Sequence, residues 1–382
     1  MQCKKPPMGW NSWNTFSSNI NEQLILDSAD AILQAGLDKV GYNYIVIDDC
    51  WLLKKRGKDG RQIPDPEKFP NGIKALADKI HEKGLKFGIY SCCGFMTCAQ
   101  YPSSLDREWI DAQTYAEWGV DYLKYDYCFK PTSRKGEELY RTMGLALANS
   151  GRDILFSACS WGADKTHEWI RGTGANMWRS TGDIVDSWRS IKVIIMQQSD
   201  RLAFGGKDCF NDMDMMVVGM NGKGNVGVSG CTEEEYKTHF AAWCLLGSPL
   251  MIGCDVRNMD DFTVSLLKNP VLLSINQDEK CSQVFPLHNY FWDGDHEETP
   301  IYARLLENGD VAIGFLNLMD VRRELIVEIA DLGINLFSGK AMEFVDCWTG
   351  ETGYTEDSIR VVLEPHCSVV FRCKVVDKRD EE

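Results

Sequence analysis

Residues 121–128 read DYLKYDYC and residues 177–183 read MWRSTGD, and these two segments decide the fold. Each apolar run predicts a strand that carries an aspartate, Asp126 or Asp183, to its C-terminal end. Side chains two or four positions apart on a strand share a face, so Lys124 accompanies Asp126 and Arg179 accompanies Asp183. A carboxylate beside a fixed cation stays ionised and can act as a nucleophile. Taken alone, each pair is more often a structural salt bridge, and the rest of the chain changes that weighting.

The same alternation continues along most of the chain. Stretches with apolar residues at helical spacing separate the strand-like runs, and parallel strands need such crossovers. Eight such β/α units fit a TIM barrel, whose typical length is about 250 residues. The sequence therefore predicts an α/β fold with a (β/α)8 barrel. Its predicted strand runs are 9–13, 42–49, 85–91, 121–127, 154–160, 177–183, 213–219 and 250–255.

Polar and aromatic residues gather at the C-terminal ends of these runs, where barrel enzymes build their sites. Asp214 is the exception, because it opens the run 213–219, so the seventh strand could begin earlier. Two carboxyl groups at one barrel mouth are what glycoside hydrolysis requires. The residues at the run ends are Trp13, Asp48, Asp49, Tyr90, Asp126, Ser160, Trp161, Asp183 and Asp255.

The adjacent acids Asp48 and Asp49 should point to opposite sides of their strand, one to the barrel mouth and one to its rim. They could bind a metal ion, although hard cations usually recruit more oxygen ligands. Accepting hydrogen bonds from sugar hydroxyls fits equally well. Trp10, Trp13 and Trp161 are aromatic faces that could form a wall against a sugar ring, although each alone is more often a core residue.

The pattern changes after Pro286. Strand-like runs at 301–306, 310–318, 324–329, 341–346 and 359–370 follow one another without helical periodicity. They predict a C-terminal antiparallel β-sandwich. We therefore divide the chain into a catalytic barrel at 1–285 and a β-sandwich domain at 286–382.

The net charge of −15 argues against binding nucleic acid or an anionic membrane surface, since both need clustered Lys and Arg. No apolar run approaches the roughly 20 residues of a membrane span. The chain shows no signal-peptide pattern and no Asn-x-Ser/Thr sequon, and its fifteen cysteines include no CxxC pair. We therefore expect a cytoplasmic protein, with a secreted form whose signal has been trimmed as the alternative. Self-association is left open.

Ordered motifs along almost the whole chain resemble glycoside hydrolase family 27, the family of α-galactosidases and α-N-acetylgalactosaminidases. The resemblance implies a barrel followed by a β-sandwich. The motifs are MGWNSW (8–13), IDDCW (47–51), GLKFGIY (84–90), DYLKYDYC (121–128), RSTGD (179–183), DSW (186–188), NDMDM (211–215) and INQD (275–278).

The resemblance assigns roles residue by residue. Asp126 resembles the family's nucleophile and Asp183 its acid/base, which implies a retaining double displacement; an inverting enzyme is the alternative. Cys98 and Cys128 match a pair that forms a disulfide in relatives, and its state here is open. No cofactor or metal is expected, so activity should survive EDTA. The residues matching the sugar pocket are Trp13, Asp48, Asp49, Tyr90, Lys124, Arg179 and Asp214.

Substrate choice in the family depends on the loop after the fifth strand, here CSWGAD at 159–164. Ser160 and Ala163 are the small pair that leaves room for a 2-acetamido group, and Trp161 lies between them. Asp164 departs from the Tyr of the animal enzymes. We predict an α-galactosidase that removes terminal α-D-galactose from a glycan, with α-N-acetylgalactosaminidase as the runner-up. Outside the enzyme class, the rival is a non-catalytic galactose-binding protein.

Overall fold

The computed structural model describes residues 3–287 and 298–379. Eight parallel strands form one sheet in the order β7-β6-β5-β4-β3-β2-β1-β8. Met216, in the segment that follows β7, closes the gap to β8 through two hydrogen bonds, from Met216 N to Met251 O at 2.7 Å and from Gly253 N to Met216 O at 2.9 Å. The predicted barrel is confirmed. Its strands are β1 Met8–Asn11, β2 Tyr44–Val46, β3 Lys86–Cys92, β4 Tyr122–Asp126, β5 Leu155–Cys159, β6 Met177–Arg179, β7 Phe210–Asp212 and β8 Leu250–Ile252.

The seventh strand was misplaced by the sequence pattern, which put it at 213–219. Strand β7 ends at Asp212 because Asp214 adopts a left-handed φ of 85°, which an extended strand does not allow. Met213, Met216 and Val217 are apolar because they pack in the core as loop residues. The sixth strand is also shorter than the predicted run 177–183. It ends at Arg179, and Asp183 lies in the loop beyond it.

Six of the longer helices lie between successive barrel strands, and two follow the last one. Helix α6 has a capping box in which Thr232 and Glu235 satisfy each other's backbone N–H groups, and it ends at Gly247 with φ 69°. None of the helices among the described residues is long and apolar enough to cross a bilayer. The helices of two turns or more are α1 Glu22–Gln34, α2 Gly72–Glu82, α3 Glu108–Glu117, α4 Gly136–Ala148, α5 Trp188–Met196, α6 Glu233–Leu246, α7 Asp261–Leu267 and α8 Pro270–Asn276.

The C-terminal domain is antiparallel throughout its described strands, as predicted. A six-stranded sheet has the order β9-β10-β11-β16-β13-β14, and a two-stranded sheet pairs β12 with β15. The predicted boundary between 285 and 286 falls inside β9, so this sheet begins at Val284. The strands are β9 Val284–Leu287, β10 Ile301–Leu305, β11 Val311–Leu316, β12 Arg323–Glu328, β13 Lys340–Asp346, β14 Thr352–Thr355, β15 Ser358–Leu363 and β16 Ser368–Asp377.

One strand predicted in this domain was wrong. The run 359–370 is two strands, β15 and β16, separated by a turn. The turn contains Pro365, which has no N–H to donate to a sheet, and His366, whose φ is 62°. The break places the two halves in different sheets.

Helix α6 joins the two domains. Its buried side chains belong to the same apolar core as Ala312, Leu316 and Val370 of the second sheet. A Cβ on Gly314 of β11 would lie 2.2 Å from Leu245 Cδ2, so only glycine allows the helix to approach this closely. The barrel is therefore packed firmly against the second domain.

Candidate active site

Asp126 is the last residue of β4 and points into a largely buried position, with 5% of its surface exposed. Its Oδ2 accepts a hydrogen bond from the Tyr90 hydroxyl at 3.0 Å, and its Oδ1 accepts one from Tyr127 N at 2.9 Å. Burial raises the pKa of Asp126 to about 6, although the nearby charge of Lys124 acts to lower it. The carboxylate is thus fixed in orientation by two neutral donors.

Lys124 shares a strand face with Asp126, as predicted, but forms its ion pair with Asp48. Its Nζ lies 2.8 Å from Asp48 Oδ2, and the same oxygen accepts a hydrogen bond from Asn11 Nδ2 at 2.8 Å. Asp48 belongs to the residues that follow β2, and its carboxylate lies closer to the Lys124 ammonium group than the Asp126 carboxylate does. The cation therefore links two strands and affects Asp126 only through its field.

Asp49 lies beyond the end of β2, like Asp48, but has different hydrogen-bond partners. Its Oδ2 accepts a hydrogen bond from Ala99 N at 2.9 Å, and its Oδ1 accepts one from Cys50 N at 2.7 Å. Burial raises the pKa of Asp49. The loop that carries Ala99 is tied to the end of β4 by a disulfide between Cys98 and Cys128.

Arg179 forms ion pairs with two further carboxylates of the site, Asp183 and Asp214. Its Nη2 lies 2.7 Å from Asp183 Oδ1 and 2.5 Å from Asp214 Oδ2. Asp214 also accepts a hydrogen bond from Ile184 N at 2.7 Å, which fixes the loop that carries Asp183. The guanidinium is buried, whereas 72% of the Asp183 side chain is exposed to solvent. Asp183 is thus the open member of the carboxylate pair.

The two carboxyl groups have opposite electrostatic environments. Partial burial acts to raise the pKa of Asp183, but the positive charges of Arg179 and Lys124 outweigh it and leave the pKa below its ordinary value. The charge of Asp183 contributes to the raised pKa of Asp126. The pair therefore lies within electrostatic range, and its two members titrate at different pH values.

The loop after β5 carries the predicted specificity residues. The Ser160 hydroxyl is buried and lies 2.6 Å from Thr166 Oγ1, so it is held inside the loop. Ala163 and Trp161 are partly buried, and Trp161 meets the Tyr127 ring edge-on with centroids 6.2 Å apart.

The predicted aromatic wall is only partly present. Trp13 is partly buried beside the site residue Asn11, whose Oδ1 accepts its backbone N–H at 2.8 Å. Trp10 is a core residue with no exposed surface, and its Nε1 donates to Cys254 O at 2.9 Å. Of the three tryptophans predicted to form the wall, only Trp13 and Trp161 thus have exposed surface that a ligand could contact.

Two polar residues near the carboxylates were not predicted as site residues. Asn11 binds Asp48, and Asp212 Oδ1 accepts a hydrogen bond from Asp214 N at 2.9 Å. Both also line a cavity of about 20 Å³ beside Lys124 and Arg179, a volume that suits one water molecule. Both belong to motifs that resemble the family, MGWNSW and NDMDM, and membership of these motifs could have indicated them as site residues.

Within residues 3–287 and 298–379, one group has the close spacing of metal ligands: Asp126 with Cys98 and Cys128. The two cysteines form the disulfide and so offer no thiolate. The donor set therefore does not fit a metal ion.

A parallel barrel with one carboxylate at the C-terminal end of β4 and a second in the loop after β6 is the arrangement that a glycoside hydrolase uses. Comparison with known proteins agrees. The family model described as alpha galactosidase A matches residues 5–278, and the model described as alpha galactosidase C-terminal beta sandwich domain matches residues 296–373. The chain belongs to glycoside hydrolase family 27, the α-galactosidase family.

Individual relatives cover nearly the whole chain. Alpha-galactosidase 2 of Arabidopsis thaliana is 42% identical over 369 residues, which cover 96% of this chain and 88% of the relative. The crystal structure of alpha-galactosidase I from Mortierella vinacea has a TM-score of 0.88 and 33% identity, with 98% of each chain covered. The alpha-galactosidase of Saccharomyces cerevisiae with raffinose has a TM-score of 0.86 and 29% identity, again with 98% of each chain covered.

Proposed function

We propose that the protein removes terminal α-D-galactosyl residues from oligosaccharides or glycoconjugates by a retaining double displacement. One observation carries the proposal: Asp126 and Asp183 lie at one barrel mouth, the first fixed and buried and the second open to solvent. The raffinose complex of the yeast relative supports a glycan substrate with a terminal galactose.

In the first step, an Asp126 oxygen attacks the anomeric carbon. The bond from that carbon to the leaving oxygen breaks, and Asp183 gives its proton to this oxygen. In the second step, the Asp183 carboxylate takes a proton from water, whose oxygen attacks the anomeric carbon and releases Asp126. The sugar keeps its configuration because the carbon is inverted twice.

The acid role of Asp183 requires its pKa to rise when substrate binds. In the free enzyme, Arg179 and Lys124 hold this pKa low. A bound sugar would cover the exposed carboxyl and displace its water, and desolvation favours the protonated form. Once Asp126 is esterified, the Asp183 carboxylate can serve as base. Asp126, whose pKa is about 6, is ionised at neutral pH, as a nucleophile must be.

The remaining polar groups are proposed to bind the sugar. Asp48 and Lys124 form one hydrogen-bonding pair, and the adjacent Asp49 accepts a hydrogen bond from Ala99 N. Both carboxylates keep oxygen lone pairs that can accept hydroxyl hydrogens. Trp13 is proposed as the apolar contact for a C–H face of the ring.

Turnover of p-nitrophenyl α-D-galactopyranoside tests this function. We expect hydrolysis by the wild type and a loss of roughly 10³-fold or more in kcat for Asp126→Asn, because no other described group replaces the nucleophile. Asp255→Asn is the matched control: this aspartate also ends a barrel strand region, but its carboxylate binds Arg257 and Asn258. It should keep activity. Galactose binding without turnover would instead support the non-catalytic rival.

The runner-up is α-N-acetylgalactosaminidase activity. Ser160 turns its hydroxyl into the loop, and Ala163 has only a methyl group, so neither fills the space beside the sugar's C2. A missing apolar contact costs about 1–3 kcal/mol, or roughly 10–200-fold. We therefore expect measurable kcat/KM for both p-nitrophenyl glycosides. Undetectable activity on the N-acetylgalactosaminide would contradict the open pocket.

The cytoplasmic location stays a prediction. Thirteen cysteines are free, which favours a reducing compartment, whereas the Cys98–Cys128 disulfide is more typical of an oxidising one. Fractionation of the source cells with an activity assay would distinguish the two. Recovery of activity only outside the cytoplasm would refute the prediction.

A further inference from the structure

The loop from Ser160 to Lys165 has an unusual concentration of left-handed backbone. Trp161, Asp164 and Lys165 have φ values of 57°, 51° and 52°, and none is glycine. Such conformations are disfavoured for ordinary side chains and persist only where surrounding contacts impose them. The contacts that hold this loop therefore determine where Ser160, Trp161 and Ala163 lie.

One contact attaches the loop to β6. Gly162 N donates to Arg179 O at 2.9 Å. A Cβ on Gly162 would lie 2.4 Å from Ser180 O, so the two backbones touch. This side of the loop is thus fixed to the strand whose arginine holds Asp183.

Asp164 makes two further contacts: its carbonyl oxygen accepts a hydrogen bond from Trp169 Nε1 at 2.8 Å, and its carboxylate contacts the segment after β4. Its Oδ2 accepts a hydrogen bond from the Tyr127 hydroxyl at 2.7 Å and lies 3.6 Å from Lys130 Nζ. The Lys130 ammonium also lies 5.6 Å from the centre of the Tyr127 ring. A Cβ on Gly136 would lie 2.1 Å from the Tyr127 hydroxyl oxygen, so helix α4 closes tightly over that hydroxyl.

Tyr127 is also bound to the proposed nucleophile. Its backbone N–H donates to Asp126 Oδ1, and its ring meets Trp161 edge-on. The loop therefore spans the space between the strand of Asp126 and the strand of Arg179. A change in the Asp164 contact would move the loop while the Asp126 carboxylate kept its hydrogen bonds from Tyr90 and the Tyr127 backbone.

We propose that Asp164 is a positioning residue for sugar specificity: its carboxylate, bound by Tyr127 and Lys130, fixes the loop that carries Trp161 and Ala163 against the sugar. The proposal rests on the proposed function, because it names what sets the substrate selectivity of that site. Asp164 itself is not expected to touch the reacting atoms. Its effect should fall on substrate binding and not on the chemical step.

The test compares Asp164→Asn and Tyr127→Phe, singly and together, on p-nitrophenyl α-D-galactopyranoside. Asparagine tolerates the left-handed backbone at this position, so the first variant removes the charge without adding strain. We expect KM to rise about 5–20-fold, because each change weakens the hydrogen bond without removing every contact of the loop, with kcat changing less than about twofold. The double variant should be no worse than the poorer single one, because Asp164→Asn weakens the same contact by replacing a charged acceptor with a neutral amide oxygen and Tyr127→Phe removes its donor.

The selectivity readout is inhibition by the free sugars. The ratio of the inhibition constants for galactose and N-acetylgalactosamine should change at least about threefold in Asp164→Asn, because the loop borders the C2 substituent in the proposed site. Lys165→Asn is the matched control: it lies in the same loop with φ 52°, but its described ion pair is with Glu168 and its side chain is 74% exposed. It should leave KM and the ratio unchanged.

A lowered melting temperature with KM and the ratio unchanged in Asp164→Asn would overturn the proposal and leave Asp164 a merely structural residue. An equal effect from Lys165→Asn would overturn it too, since loop strain alone would then explain the result. If the wild type hydrolyses neither glycoside, the proposed function fails. The Asp164 proposal is then judged by calorimetric Kd values for galactose and N-acetylgalactosamine in the same variants, and unchanged values would refute it.

Discussion

The Tyr90 hydroxyl donates a 3.0 Å hydrogen bond to Asp126 Oδ2, and both groups are almost completely buried. This bond holds one oxygen of the proposed nucleophile, while the Tyr127 backbone holds the other. Asp126 therefore keeps a fixed orientation without a direct cationic partner. Its ionisation depends on the balance between burial, which raises its pKa, and the charge of Lys124 with the Tyr127 backbone N–H, which lower it.

The pH dependence of kcat/KM should report the ionisation of Asp126. Because its pKa is about 6, protonation should reduce kcat/KM as the pH falls below that value. Tyr90→Phe removes a donor that favours the charged form, so the acidic limb should move upward by roughly half a pH unit to one. Initial rates between pH 4 and 9 would check this. A limb that moves downward in Tyr90→Phe would contradict the assigned role of the hydroxyl.

Lys124→Met should be strongly destabilising and nearly inactive. The substitution leaves the buried Asp48 carboxylate without its cation, and breaking one side of a buried ion pair costs about 3–5 kcal/mol. Adding Asp48→Asn should restore part of the free energy of unfolding but no activity, because both sugar-binding groups are then lost. Urea unfolding with parallel assays separates the effects. Additive losses of stability would show that the pair is not coupled.

Asp126→Asn should be more stable than the wild type at neutral pH. The folded state holds the Asp126 proton more tightly than the unfolded chain, so ionisation costs stability above about pH 6. Asparagine removes that cost, which we put at about 1–3 kcal/mol. The gain should vanish below about pH 4, where the carboxyl is protonated in both states. Thermal unfolding at both pH values is the measurement, and a gain that persists at low pH would contradict burial as its cause.

Removal of the disulfide should loosen the sugar site. Cys98 precedes Ala99, whose N–H binds Asp49, so Cys98→Ser with Cys128→Ser frees the segment that orients this carboxylate. We expect a loss of about 2–4 kcal/mol in the free energy of unfolding and a raised KM. Cys231→Ser, which changes a free and only partly buried cysteine, is the control. An unchanged KM would show that the disulfide does not position Asp49.

The sequence predicted the barrel because its strand and helix periods alternate regularly, and it predicted the family because the motifs are ordered along the chain. Asp126 was placed correctly at a strand end for the same reason. The partner of Lys124 could not be predicted, since Asp48 lies 76 residues away and local patterns compare only neighbours on one strand. The seventh strand was misplaced because buried loop residues such as Met216 and Val217 are as apolar as strand residues.

The contact between Asp164 and Tyr127 also could not be predicted from the sequence. The two residues are 37 positions apart, and the left-handed backbone that makes the contact important has no glycine to indicate it. The bending of the chain at Trp161, Asp164 and Lys165 is imposed by tertiary contacts. Patterns of residue type cannot report it.

The configuration of the first-formed sugar tests the central claim most directly. Proton NMR during rapid hydrolysis of p-nitrophenyl α-D-galactopyranoside would record the anomer before mutarotation. A double displacement through Asp126 with Asp183 as acid and base predicts α-galactose as the initial product. Initial β-galactose would contradict the account, because it would require a single displacement by water in which Asp126 forms no covalent bond.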